Sequence, residues 1–156
     1  MSTAIHRRVE ALREGRDPTF IARLPSGWAV FGDRQFLRGY CLLLPDPVVP
    51  HLNDFDALAR SQFLSDMAAL GDALLAETGA IRINYAMFGN LEPALHAHLV
   101  PRHANEKAPL DVAHPWAYDW AAAPAFEPEA FAALTAAIRR RLTPLLRSAG
   151  AKPSST

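Results

Sequence analysis

Cysteine is nearly absent from this chain of 156 residues, in which Cys41 is the single thiol. One thiol excludes an internal disulfide and any zinc site built from several cysteines, and it is typical of proteins in a reducing compartment. Net charge is absent too, because 16 lysines and arginines balance 16 aspartates and glutamates. Without an overall positive field, we expect neither nucleic acid nor a membrane surface as a partner.

Long hydrophobic runs are also missing, and no apolar stretch approaches the length needed to cross a bilayer. The opening residues MSTAIHRRVEALREG distribute their basic side chains within an amphipathic pattern, unlike a signal peptide. We therefore predict a cytoplasmic protein. A chain of this length predicts a single domain over residues 1–150, with its core at about 19–102, a C-terminal loop and helix at 103–148, and a disordered tail at 151–156.

Apolar periodicity predicts a helix near each end of the chain and a longer one in the middle. The first helix stops at Gly15, and the middle helix begins at Asn53 or Asp54 and ends before Gly79. The last helix contains Pro144, which we expect to kink or end it. Its predicted apolar face consists of Phe131, Leu134, Ile138 and Leu142.

Five short segments predict β-strands: TFIARLP, GWAVFGD, GYCLLLP, AIRINYAMF and ALHAHLVPR. Most of the intervals between them are short, which favours hairpins and an antiparallel sheet, and the class is therefore α+β. The interval 103–126 has no regular pattern and contains three large aromatic residues within HPWAYDW. Long irregular loops are often functional, so this one is expected either to pack on the sheet or a dimer partner, or to cap a site.

The segment PALHAHLVPRH, residues 93–103, places His96 and His98 one residue apart. On a strand, alternate side chains share a face, so the two imidazoles should lie on one face, roughly 7 Å apart along the strand. The intervening residues should then point into the core. These are Leu95, Ala97 and Leu99.

Three interpretations of the histidine pair remain open on the residues alone. The pair can be a solvated strand face. It can bind zinc, which needs a third ligand such as His51, His103 or His114. It can also form a nucleophilic site in which one imidazole attacks phosphorus while the other assists, because imidazole titrates near neutrality and its two nitrogens can do different work.

The stretch GNLEPALHAHLVPR resembles the histidine-triad (HIT) superfamily, whose signature is His-φ-His-φ-His-φ-φ with φ apolar, often followed by Pro-Arg. Similarity to the family extends over roughly half the chain, from Gly27 to Arg102, through GWAVFGDRQFLRGYCLLLP, PHLNDFDALARSQFL and INYAMFGN. The resemblance implies a HIT-like fold: a five-stranded antiparallel sheet with a long helix and flanking terminal helices, frequently paired into a homodimer.

The triad is incomplete, and two alignments with the signature are open. We prefer the one that makes His96 the central nucleophile, His98 the third histidine and Ala94 the replacement of the first. The other makes His98 the nucleophile and places Val100 third. Tyr40 stands where many family members carry a further supporting histidine.

The resemblance implies a nucleotide hydrolase or nucleotidyl transferase that acts at the α-phosphate of a nucleotide conjugate, such as a phosphoramidate or dinucleoside polyphosphate. The catalytic residues would be His96 and His98, with a nucleotidyl-histidine intermediate. No cofactor or bound metal is implied, although a divalent cation could accompany the substrate phosphates. The catalytic hypothesis requires an exposed His96 ring. The alternatives are a non-catalytic nucleotide-binding module and a metal-binding protein.

Four further residues match substrate-binding positions of the family. Asp33 matches the residue that binds the ribose hydroxyls, and Asn84 and Asn90 match amides near the phosphate. Arg102 is a candidate phosphate ligand. Each also has a structural interpretation, as a turn residue for Asp33 and Asn90 and as a strand-end surface arginine for Arg102.

Overall fold

The structure is a computed structural model that describes residues 2–149. In this range the helices are α1 (Ala4–Arg13), α2 (Ala57–Thr78) and α3 (Pro128–Ala149). The strands are β1 (Phe20–Leu24), β2 (Gly27–Phe31), β3 (Cys41–Pro45), β4 (Arg82–Ala86) and β5 (Ala97–Arg102). Single 3₁₀ turns occur at Leu52–Asp54 and Pro115–Ala117. The predicted tail at 151–156 lies outside the described residues, and the predicted domain boundaries stay a prediction.

The five strands form one antiparallel sheet in the order β1-β2-β3-β5-β4, which confirms the predicted α+β class. The central strands are the most buried, because β3 is covered on both faces while β4 alternates between exposed and half-buried residues. In the register of the sheet, His98 of β5 lies between Leu42 of β3 and Ala86 of β4. The histidine stretch therefore runs through the interior of the sheet rather than along an edge.

Each face of the sheet has its own hydrophobic core. One face packs against α2 and α3, and its core includes Phe63, Leu74 and Ile138. The other face carries α1 and a set of aromatic side chains, and its core includes Val9, Tyr40 and Leu42. We call this second side the histidine face, because His98 is paired with Leu42 and extends on the same side.

The predicted start of the middle helix is wrong, and the last helix does not end at its proline. The middle helix begins at Ala57, not at Asn53 or Asp54, because Leu52–Asp54 form a separate 3₁₀ turn and the Asp56 carboxylate accepts a hydrogen bond from the Ala59 amide at 2.8 Å. At the other end of the chain, α3 continues through Pro144. Leu145 and Leu146 beyond the proline pack against the core, which favours continuation of the helix over its end.

The last strand is shorter than predicted, because Ala94 and Leu95 pair outside the sheet. The Leu95 amide donates to the Val49 carbonyl at 2.7 Å, and the Ala94 amide donates to the Glu92 carbonyl at 2.8 Å. The strand itself starts at Ala97, so His96 lies just before it. Among the described residues, no helix is long and apolar enough to cross a membrane.

Candidate active site

The two histidines form a compact pair on the histidine face. Their ring centroids are 4.8 Å apart, and the rings are nearly perpendicular at 70°. As predicted, Leu95, Ala97 and Leu99 point to the opposite side and belong to the core under α2 and α3. The alternation along this segment is thus the cause of the pairing, since it sends every apolar neighbour inward and leaves both imidazoles together.

The turn before β5 orients the His96 ring. Its Nδ1 atom lies 2.7 Å from the carbonyl oxygen of Ala94. A carbonyl can only accept, so Nδ1 carries the proton and Nε2 of the neutral ring keeps a free lone pair. The turn is held in place by Glu92, whose carboxylate accepts from the amides of Ala4 and Ile5 at the start of α1.

The expectation of an exposed His96 ring is wrong, because only 8% of this residue is accessible. The accessible part nevertheless includes Nε2, the nitrogen that would attack phosphorus. Every fully buried side-chain nitrogen and oxygen among the described residues has a hydrogen-bond partner. Since Nε2 of His96 makes no hydrogen bond to residues 2–149, it must reach solvent. The same reasoning applies to Nε2 of His98, whose bonded nitrogen is Nδ1.

His98 is held by Tyr40. The phenol hydroxyl lies 2.7 Å from Nδ1 of His98, and the two rings are stacked, with centroids 5.9 Å apart and an interplanar angle of 7°. Burial, followed by the nearby His96, lowers the pKa of His98 from 6.5 to about 4. His98 is therefore neutral at physiological pH.

A short loop after β2 makes room for Tyr40. A Cβ atom on Gly32 would lie 2.1 Å from the Tyr40 ring, so only glycine allows the phenol to lie there. The buried amide of Gln35 donates to the carbonyls of Gly32 and Tyr40 at 2.8 and 2.9 Å and accepts from the Gly39 amide at 3.0 Å. Three hydrogen bonds from one side chain thus fix both ends of the loop.

The irregular segment at 103–126 packs over the histidines. Trp116 lies edge-on to His98, with centroids 5.0 Å apart, and contacts both Trp120 and Phe88. Phe36 stacks on Trp120 at 4.1 Å. We call Phe36, Phe88, Trp116 and Trp120 the aromatic cover. Of the expectations for HPWAYDW, packing on the sheet is observed, and capping of a site stays a prediction.

Arg102 anchors this segment, and its guanidinium is fully engaged with the protein. Nε and Nη2 contact the Glu106 carboxylate at 3.0 and 2.8 Å. Nη1 donates to Asn84 Oδ1 at 2.9 Å and to the Ala113 carbonyl at 2.7 Å, and Nη2 reaches the Leu110 carbonyl at 2.6 Å. Arg102 is buried rather than on the surface. Its predicted role as a phosphate ligand stays a prediction, one that this network does not favour.

The two predicted amides occupy different surroundings. Asn84 is paired with Val100 on the histidine face, and its Oδ1 is bonded to Arg102, whereas its NH₂ group makes no hydrogen bond within residues 2–149. It lines a cleft of about 870 Å³ between β4 and the segment at 111–116. Asn90 lies on an exposed bend, and its side chain makes no hydrogen bond within residues 2–149.

Asp33 lies in the loop after β2 and is mostly exposed. Its Oδ1 accepts from Nη2 of Arg8 at 3.0 Å, and Arg8 is itself bonded to Asp17 and Thr19. Arg8 also donates to the Phe31 carbonyl at the end of β2, which ties this ion pair to the sheet. One carboxylate oxygen of Asp33 remains available to a ligand.

No group of three or more His, Cys, Asp or Glu side chains able to hold a metal ion occurs in the part of the chain that the structure describes. The zinc interpretation of the histidine pair, which needs a third ligand, stays a hypothesis.

For several residues of this site, the sequence alone does not indicate their role. The roles of Gly32, Gln35 and Arg8 depend on contacts between elements distant in the chain. Glu106 lies four residues after Arg102, but nothing in the sequence indicates that the two side chains form an ion pair.

No family model and no curated protein matches this chain. Solved structures do match. A histidine triad protein from Bradyrhizobium japonicum is 24% identical, with a TM-score of 0.69, over 83% of this chain and 93% of that one. A histidine triad protein from Marinobacter aquaeolei is 18% identical, with a TM-score of 0.73, over 93% and 99% of the two chains.

A hypothetical histidine triad nucleotide-binding protein from Sulfolobus tokodaii has a TM-score of 0.68 at 14% identity, over 90% of this chain and 93% of that one. At these identities the likeness concerns the fold. It agrees with the resemblance found in the sequence and with the five-stranded sheet and three helices. This protein has the histidine-triad fold.

Proposed function

We propose that this protein is a nucleotide hydrolase or nucleotidyl transferase that acts at the α-phosphate of a nucleotide conjugate. The observation that carries the proposal is the orientation of His96: Nδ1 is bonded to the Ala94 carbonyl, and Nε2 makes no hydrogen bond within residues 2–149. An imidazole oriented in this way is a competent nucleophile. The histidine-triad fold and the nucleotide-binding relative support the nature of the substrate.

In the proposed reaction, Nε2 of His96 attacks the α-phosphorus and forms a P–N bond. The bond between phosphorus and the leaving group breaks, and the leaving group takes that electron pair and a proton from solvent water, to which the attacking water of the second step returns one. His98, 4.8 Å away, donates a hydrogen bond to a phosphoryl oxygen and stabilises the developing charge. Water or another acceptor then attacks phosphorus, the P–N bond breaks, and the free imidazole returns.

Binding of the nucleotide is assigned to residues around this pair. The free oxygen of Asp33 is suited to accept from ribose hydroxyls, and the NH₂ group of Asn84, which has no hydrogen-bond partner within residues 2–149, can donate to a phosphate oxygen. Asn90 is an exposed amide on the bend before the histidines and remains a candidate phosphate contact. Asp33→Ala should therefore raise KM for a ribonucleotide conjugate more than it lowers kcat.

The proposal is tested by trapping the intermediate. The protein is incubated with adenosine and guanosine phosphoramidates and dinucleoside polyphosphates, and intact mass is recorded for an added nucleotidyl group. We expect the adduct on His96 in peptide maps, no turnover in His96→Ala, and nucleotide affinity in that variant within about tenfold of wild type. Equal turnover by His96→Ala and wild type would exclude the nucleophile, and an adduct on His98 would favour the other alignment.

A non-catalytic nucleotide-binding module is the second candidate, and the low exposure of His96 favours it. The same experiment separates the two functions. A binder should show nucleotide affinity, measured by calorimetry, with neither an adduct nor turnover for any conjugate in the panel.

The proposed chemistry uses side chains of the chain alone, with a divalent cation acting only on the substrate phosphates. Turnover measured with EDTA and with added Mg²⁺ tests that assignment. We also propose a cytoplasmic location, in keeping with a single buried thiol, which fractionation of expressing cells would check.

We further propose a homodimer formed through β4. This strand lies at the end of the sheet and pairs only with β5 among the described strands, so one edge of its main chain is open to another strand. Exposed apolar side chains surround that edge, namely Ile81, Tyr85, Phe88 and Val112. Light scattering should give the mass of a dimer, and Ile81→Lys should shift it toward the monomer.

A further inference from the structure

We propose that Tyr40 is a positioning residue that locks His98 in the tautomer with its proton on Nε2. The inference rests on the proposed function for its catalytic meaning, since a neutral Nε2–H is the donor that would contact a phosphoryl oxygen. The assignment of the His98 tautomer depends only on the position of the Tyr40 hydroxyl, which is set by groups outside the histidine segment.

The direction of the Tyr40–His98 hydrogen bond follows from its surroundings. Tyr40 is 3% exposed, and within residues 2–149 its hydroxyl has one hydrogen-bond partner, Nδ1 of His98 at 2.7 Å. If Nδ1 carried the ring proton, the hydroxyl proton would be buried without an acceptor, which costs about 1–3 kcal/mol. The hydroxyl therefore donates, Nδ1 accepts, and the proton of the neutral ring is on Nε2.

The fold holds the phenol in this place from three sides. Gly32 leaves the space that a Cβ atom would fill, and the Gln35 amide binds the Tyr40 carbonyl. Phe36 and Trp120 contact the ring, with centroids at 5.0 and 5.2 Å. The hydroxyl has little freedom to turn toward another acceptor, because each of these contacts fixes the ring plane.

The two histidines are consequently held in opposite tautomers, because Nδ1 of His96 faces an acceptor and Nδ1 of His98 faces a donor. Ala94 offers a carbonyl and draws the His96 proton to Nδ1. Tyr40 offers a hydroxyl and leaves the His98 proton on Nε2. One ring thus presents a lone pair to the outside while its neighbour presents an N–H, which is the combination that nucleophilic attack and charge stabilisation require.

The test compares wild type with Tyr40→Phe, which keeps the aromatic ring and its packing but removes the hydroxyl. Tyr85→Phe is the matched control, since the Tyr85 hydroxyl packs against Gly71 on α2, on the opposite face of the sheet. Each protein is labelled with ¹⁵N-histidine, and the two ring nitrogens of His98 are observed by two-bond ¹H–¹⁵N correlation at pH 7, without substrate.

We expect an unprotonated Nδ1 and a protonated Nε2 in wild type and Tyr85→Phe, and a substantial Nδ1–H fraction in Tyr40→Phe. A wild-type His98 with its proton on Nδ1, or an unchanged tautomer in Tyr40→Phe, would overturn the proposal. If a conjugate is turned over, Tyr40→Phe should reduce kcat by roughly 10–100-fold, the scale of lost supporting hydrogen bonds at other sites, with KM little changed. Because the spectrum is recorded without substrate, it tests the tautomer of His98 even if the proposed function is wrong.

Discussion

The rings of Phe88 and Trp116 meet at right angles, with their centroids 4.9 Å apart. Phe88 comes from the bend before the histidines and Trp116 from the segment after them, so the contact joins the two flanks of the site. Trp116 also touches His98. Trp116 therefore covers part of the His98 ring, which is half-buried.

Removal of Trp116 should open the site. In Trp116→Ala we expect His96 and His98 to react several-fold faster with diethyl pyrocarbonate, because the reagent must reach Nε2. Labelling is quantified on peptides by mass spectrometry. Leu58→Ala, which alters an exposed residue at the start of α2, serves as the control and should react like wild type. Equal rates in Trp116→Ala and wild type would mean that access does not depend on this ring.

The Arg102–Glu106 pair should contribute strongly to stability, because both side chains are largely removed from solvent. In Glu106→Gln, the buried guanidinium loses its counter-charge, and we expect the free energy of unfolding in urea to fall by about 3 kcal/mol. Glu77→Gln breaks the more exposed pair with Arg141 and should cost less than about 1 kcal/mol. Similar losses in both variants would contradict the assignment.

The same pair predicts a loss of stability in acid. Burial by itself raises the pKa of Glu106, but hydrogen bonds from Arg102 and Tyr118 outweigh it and hold the pKa below its ordinary value of 4.5. A carboxyl whose pKa is lower when folded stabilises the protein above the unfolded pKa, and that stabilisation disappears as pH falls through the folded pKa. Below pH 4.5, the difference in unfolding free energy between wild type and Glu106→Gln should therefore shrink. A difference constant down to pH 3 would count against this account.

His98 should make stability depend on pH in a higher range. Its pKa falls from 6.5 to about 4 on folding, so between these values the unfolded chain binds a proton that the folded protein does not. The free energy of unfolding must then decrease as pH falls from 6.5 toward 4, by about 3 kcal/mol for this group. Urea unfolding at pH 7 and 4.5 should show a smaller decrease in His98→Gln. NMR titration of the His98 ring should give a midpoint near 4, and a midpoint near 6.5 would refute the prediction.

Gly32→Ala should displace Tyr40, because the added methyl would lie about 2 Å from two ring carbons. We expect a loss of about 1–3 kcal/mol in unfolding free energy, which is typical of overpacking, together with loss of the hydroxyl contact to His98. Gly89→Ala is the matched control, since a methyl there meets nothing within 4 Å. A stable Gly32→Ala with an unchanged His98 tautomer would show that the loop adapts.

The sequence predicts the local order of this protein well, because periodicity reports which residues are buried. The alternation in ALHAHLVPR places both histidines on one face, and the spacing of Phe131, Leu134, Ile138 and Leu142 identifies the buried face of α3. Helix starts are less predictable, since Asn53, Asp54 and Asp56 are all good capping residues and only the 3₁₀ turn decides among them.

The sequence predicts the site only in part, because its remaining contacts join distant segments. Tyr40 and His98 are 58 residues apart, and nothing local indicates that a phenol meets that imidazole. Arg102 stands at the end of a strand, where the sequence is typical of a surface residue. In the structure, however, Glu106 and three loop carbonyls enclose its guanidinium. The low exposure of His96 is likewise not indicated by the residues next to it in the sequence.

The acceptor that orients His96 belongs to the peptide group of residue 94, and every amino acid carries a peptide carbonyl. Orientation of the neighbouring ring therefore requires the main chain of residue 94 and not its side chain. What must be preserved is the path of the chain through Glu92 and Val49, and a mutation that straightens this corner would take the acceptor away from His96.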